Sequence, residues 1–131
     1  MTGMIAEVSF ILNSLSDEEL SSFAEGVVKR IENYLSAPFR ETEKFKQLVD
    51  DGKWPVEDER DMLKLKDELE KLINDFKNKL RSYFKNELKY DDVVRERGKV
   101  VNVLLNIIWK WHIIQCSLIR EGLMKVKYVG D

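Results

Sequence analysis

Residues 100–119 read VVNVLLNIIWKWHIIQCSLI, and apolar side chains cover most of the circumference once the stretch is wound as a helix. Arg95, Lys99, Asn102, Asn106, Lys110 and Ser117 fall near one stripe at helical period. A helix with so narrow a wet stripe is one surrounded by partners. The pattern predicts a helix from Val93 to about Glu121, with Gly122 as its cap. A membrane span is disfavoured, because Asn102, Asn106, Lys110, His112 and Gln115 lie inside the run, and so many polar groups in hydrocarbon are expensive. Two readings stay open. Either this is the central core helix of a bundle, or it is a core helix that also presents an apolar face, with Trp109 or Trp111 and Ile113 as anchors for another subunit.

Working backwards, Tyr90-Asp91-Asp92 supplies a turn with two candidate N-caps. Before it, Met62, Leu65, Leu69, Leu72, Phe76, Leu80 and Tyr83 step by three and four residues, and neither Gly nor Pro interrupts positions 56 to 90. A helix of that length reaches on the order of 50 Å, so it runs the full length of a bundle or projects beyond it. Nearer the N-terminus, Met4, Ile5, Val8, Ile11, Leu12 and Leu15 suit a short amphipathic helix. Ser16-Asp17-Glu18-Glu19 reads as a capping box. The helix it opens carries Leu20, Phe23, Ala24, Val27, Ile31, Tyr34 and Leu35 on one face and ends near Ser36, ahead of Pro38. A weaker segment through Phe39, Phe45, Leu48 and Val49 closes at Gly52, and Pro55 fits the first turn of the helix that follows. At the other end Met124, Val126 and Tyr128 alternate with Lys125 and Lys127, the pattern of one short strand that needs a partner.

The expected architecture is therefore all-α: one domain over residues 1–131, a bundle of four to five helices with a long antiparallel hairpin and a short C-terminal strand. At 131 residues, with 44% hydrophobic and 35% charged side chains, the chain has material for one core and no more. A net charge of −2 gives no global pull towards nucleic acid or an anionic membrane. The charge is uneven, however. Residues 1–60 hold 7 Lys/Arg against 13 Asp/Glu, and residues 61–131 hold 15 against 11. The single cysteine, Cys116, suits a reducing cytoplasm. The first fifteen residues lack a basic n-region and carry Glu7, so they do not read as a signal peptide.

Candidate chemistry is sparse. Lys77, Arg81, Lys85 and Lys89 recur every four residues, and Arg95, Arg97 and Lys99 follow the turn. Such an array can track a phosphate backbone. Against that, Asp75 is placed to pair with Lys79 and Asp67 with Lys71, while Glu87, Asp91, Asp92 and Glu96 dilute the field. His112 is the only histidine, and Cys116 follows it by one helical turn. The two can share one metal, but two further ligands are not evident, so no metal site and no cofactor is expected. A Cys–His nucleophilic pair lacks any visible oxyanion hole, and the six glycines form no phosphate loop. Gly26 and Gly98 sit inside helical patterns, and close helix–helix approach is their expected reason.

The segment Leu15-Ser16-Asp17-Glu18-Glu19-Leu20 through Ile31, Tyr34 and Leu35, with Leu65-Lys66-Asp67-Glu68-Leu69 later opening a long helix, resembles the helical domain of archaeal GINS subunits, non-catalytic components of the replicative helicase assembly. The resemblance spans roughly residues 10–120 and implies an assembly role without assigning any single residue. Two departures stand out: the family's basic segment is only loosely matched by Lys77 to Lys89, and its small β domain has no room beyond Leu123 to Val129. A small structural protein from a virus or mobile element would carry the same patterns.

The expected function is non-catalytic assembly with a protein partner or with itself as a homo-oligomer. Its interface would use Trp109, Trp111, Ile113, Val126 and Tyr128. Neither a membrane nor a small-molecule substrate is implied. The rival is a nucleic-acid-binding module built on the basic residues from Lys77 to Lys99.

Overall fold

The computed structural model describes residues 2–123. Five helices follow one another: α1 Thr2–Ser14, α2 Asp17–Leu35, α3 Glu43–Asp50, α4 Val56–Phe84 and α5 Tyr90–Arg120, with a 3₁₀ turn at Pro38–Glu41 between α2 and α3. No strand occurs among the described residues, which are all-α. The expected strand at Met124, Val126 and Tyr128 lies outside the described residues.

Local chemistry sets most helix ends. Ser16 Oγ accepts from the Glu19 N–H at 3.1 Å, and the Ser16 N–H donates to Glu19 Oε1 at 2.9 Å, completing the capping box. Donation from the Ser16 backbone N–H foremost, with the Ser16 hydroxyl adding to it, holds the Glu19 carboxyl below its ordinary value. Gly52 and Gly122 adopt left-handed φ of 70° and 71°, as a helix stop requires. Pro55 sits just ahead of α4 rather than inside its first turn. The hairpin turn also differs from expectation. It spans residues 85–89 instead of Tyr90–Asp92, because Asn86 takes φ of 60°. Its N–H donates to the Tyr83 carbonyl at 3.0 Å, and that of Glu87 donates to Ser82 at 2.9 Å. Asn tolerates this region better than other side chains with a Cβ, so it serves as the stop. Asp91 and Asp92 then fall in the first turn of α5, where they complement the positive helix end.

α4 and α5 pack along their lengths as the antiparallel hairpin, α2 lies against both, and α1 rests on α5. Leu12, Leu20, Met62, Phe76, Val100 and Leu104 meet in one core. α4 buries Ile73, which the simple three-and-four stepping had passed over, and leaves Leu72 half-buried. Contacts to α5 on one side and α2 on the other widen its buried stripe.

One end of the bundle is sealed by the weakest sequence element. Phe39, Phe45 and Trp54 stack with ring centroids 5.0–6.2 Å apart, and Tyr34 joins at 5.9 Å from Phe39. Arg40 lies 5.1 Å from the ring centres of both Tyr34 and Phe45, and it meets Glu59 of α4 at 2.6 Å without hydrogen-bond alignment. Burial, with Glu59 adding to it, raises the Tyr34 phenol above its ordinary value. From α3, Lys44 donates to the Glu121 carbonyl at the end of α5.

The two mid-helix glycines do not mark close packing. Among the described residues, nothing lies within 4 Å of a Cβ built on Gly26 or Gly98, and both are exposed. The expected helix–helix approach is absent among the described residues.

Candidate interaction surface

α5 has two unlike halves. Val93, Val100, Val101, Val103, Leu104 and Ile107 are buried, sheathed by α1, α2 and α4. Beyond them the outer face opens. Trp109 is 36% exposed and Ile119 43%, Cys116 is exposed, and Ile113 is half-buried. Trp109, Ile113 and Cys116 are four and three residues apart and so share a face. Length explains the change. α1 has 13 residues and α5 has 31, or about 20 Å against about 46 Å. α1 is pinned at its end, where Arg97 donates to the carbonyls of Leu12 (3.2 Å), Asn13 (3.4 Å) and Leu15. It cannot reach along the whole of α5.

The expected interface residues therefore separate. Trp109 and Ile113 lie on the outer face. Trp111 turns inward, edge-on to Tyr34 with centroids 5.3 Å apart and planes at 79°, and lines a small apolar cleft with Phe23, Val27 and Ile108. Val126 and Tyr128 lie outside the described residues.

Two polar groups of the α5 run have distinct surroundings. Lys110 binds Asp58 Oδ1 at 2.9 Å and Asp61 Oδ2 at 3.4 Å, which ties α5 to the start of α4. The bond to Asp58 raises the Lys110 ammonium above its ordinary value. Ser117, expected on the wet stripe, is buried and donates to the Ile113 carbonyl at 3.3 Å. His112 Nε2 stands 3.8 Å from Cys116 Sγ, and the Trp109 ring flanks the imidazole with centroids 6.1 Å apart. Among the described residues, no three His, Cys, Asp or Glu side chains gather as a metal-binding group. None of the described helices is long and apolar enough to cross a membrane.

The basic array also divides. Arg97 is drawn inward, its Nη1 donating to Asp17 Oδ1 at 2.8 Å. Lys77 pairs with Glu25 across to α2, and Lys99 with Glu96 at 3.1 Å. Arg95 lies 3.9 Å from Asp92. Arg81, Lys85 and Lys89 are exposed near the hairpin turn and form no ion pair among the described residues. Arg81 donates to Asn78 Oδ1 at 3.2 Å. Asp75, Glu87 and Glu96 line a cleft with Lys79 on the same side of the hairpin, so acid interrupts the field. Of the expected i, i+4 pairs, neither Asp75–Lys79 nor Asp67–Lys71 forms; Asp67 lies 4.0 Å from Lys66 instead, which pairs with Glu70 at 2.9 Å.

Sequence reading missed the Asp17–Arg97 pair and the Arg40–Glu59 pair. No local signal announces either, since each joins residues distant in sequence and adjacent only after folding. No family model matches the sequence, and neither curated proteins nor solved structures give a match.

Proposed function

We propose that this chain is a non-catalytic assembly subunit that self-associates through the outer face of the C-terminal half of α5. The observation that carries the reading is the apolar strip of Trp109, Ile113, Cys116 and Ile119 on a helix whose first half is core. Large aromatic anchors surrounded by aliphatic side chains are the usual energetic centre of a protein contact. Sedimentation equilibrium from one to one hundred micromolar tests it: the wild type should dimerise, and Trp109→Ser should weaken that at least tenfold. A monomer throughout the range would overturn the proposal. The likeness to GINS helical domains is in keeping with an assembly role and names no partner.

A second reading is supported by Arg81, Lys85 and Lys89, exposed and unpaired among the described residues at one end of the hairpin. There the chain would grip a phosphate backbone. Binding of that kind weakens steeply with salt, and charge reversal at Arg81 and Lys85 should abolish it. Affinity indifferent to salt would remove this reading.

A further inference from the structure

His112 and Cys116 are the chain's only histidine and only cysteine, and they meet on the surface already assigned to self-association. Their donor atoms, Nε2 and Sγ, stand 3.8 Å apart. On a tetrahedral zinc, with Zn–S about 2.3 Å and Zn–N about 2.0–2.1 Å, the same two atoms sit about 3.6 Å apart. The separation of the pair thus matches that of two ligands of one metal ion to within about 0.2 Å. The Trp109 ring lies beside the imidazole, and the i, i+4 spacing puts both ligands on one side of the helix.

Two ligands do not hold zinc structurally; four do. Among the described residues no third His, Cys, Asp or Glu joins the pair, and the sequence contains no other His or Cys. Further imidazole and thiolate must come from another molecule, and a second copy carries the same pair on the same face. In a two-fold contact each residue can meet its counterpart's neighbour, so pair faces pair.

We propose that His112 and Cys116 form half of a Cys₂His₂ zinc site, completed by His112 and Cys116 of a second copy across a two-fold axis near Ile113. One Zn²⁺ displaces two thiol protons to the solvent and binds two thiolates and two neutral imidazoles, leaving the centre uncharged. That neutrality suits the apolar ring of Trp109, Ile113 and Ile119 around it. The inference rests on the self-association reading and adds the metal to it.

The test is sedimentation equilibrium of the full chain under a phosphine reductant, with zinc chloride or with EDTA, alongside titration with Co²⁺ followed by visible absorption. The expected result is one metal per two chains, dimerisation at least tenfold tighter with zinc, and intense tetrahedral cobalt bands with thiolate charge transfer. His112→Ala at a half-buried position and Cys116→Ser at an exposed one should lose all three while keeping the wild-type circular dichroism. A dimer indifferent to zinc that gives no cobalt bands would overturn the zinc site and leave self-association standing. One metal per chain, without effect on mass, would overturn the shared site. A monomer in every condition would overturn both readings.

Discussion

Arg97 and Asp17 join three helices at a single ion pair: the guanidinium on α5 donates to the carboxylate in the first turn of α2 at 2.8 Å, while its other nitrogen caps the last carbonyls of α1. Both side chains are largely covered, 14% and 21% exposed. The planar fork lets one side chain serve two acceptor groups, a geometry that lysine cannot copy. Tyr90 also donates to this carboxylate, at 2.8 Å, and the bond raises the phenol above its ordinary value.

Replacing Arg97 should therefore act on stability rather than on any ligand. Charged hydrogen bonds of this kind are worth about 1.5–3 kcal/mol, so Arg97→Ala should cost about 2 kcal/mol in urea unfolding. Arg97→Lys should recover less than half of that. A neutral result for Arg97→Ala would mean that α1 is held by its apolar face alone.

The pair Arg40–Glu59 allows a sharper comparison. Glu59 is buried, so removing its partner leaves a charge without compensation. Arg40→Leu should cost about 3 kcal/mol, whereas Arg40→Leu with Glu59→Leu should regain most of it, because a desolvated lone charge is worse than none. Equal losses in the single and double variants would contradict this account.

Gly26→Ala and Gly98→Ala should each stabilise the isolated chain by about 0.4–1 kcal/mol, since both positions are helical and open to space. Thermal melts at low concentration check the gain. A loss of stability at either would show packing against something other than the described residues.

The capping box should show a pH signature. A carboxyl held below its ordinary value stabilises the fold above its unfolded value, near 4.5, and loses that contribution as pH falls through the lower folded value. Glu19→Ala should thus be less stable than wild type at pH 7, and the two should converge as pH falls through that lower folded value. Ser16→Ala, which removes the cap acceptor, should cost about 1 kcal/mol at neutral pH. A Glu19→Ala deficit that stays constant between pH 7 and pH 3 would show that the charge plays no part.

Ser16, Gly52 and Gly122 mark helix boundaries with a few neighbouring atoms, and the amphipathic stepping of α2 and α4 marks their inner faces. These features were legible in the sequence because they depend on residues within about one turn of each other. The all-α character of the described residues followed from the same local rules. By contrast, the side of α5 on which each tryptophan falls was not legible: Trp109 and Trp111 read alike until Tyr34 takes one of them. Nor could sequence show that Arg97 turns inward while Arg81 stays out, or that Arg40 would find Glu59. Those outcomes depend on which helices lie side by side. A short α1 against a long α5 leaves half of one face uncovered, and only the folded arrangement decides which half.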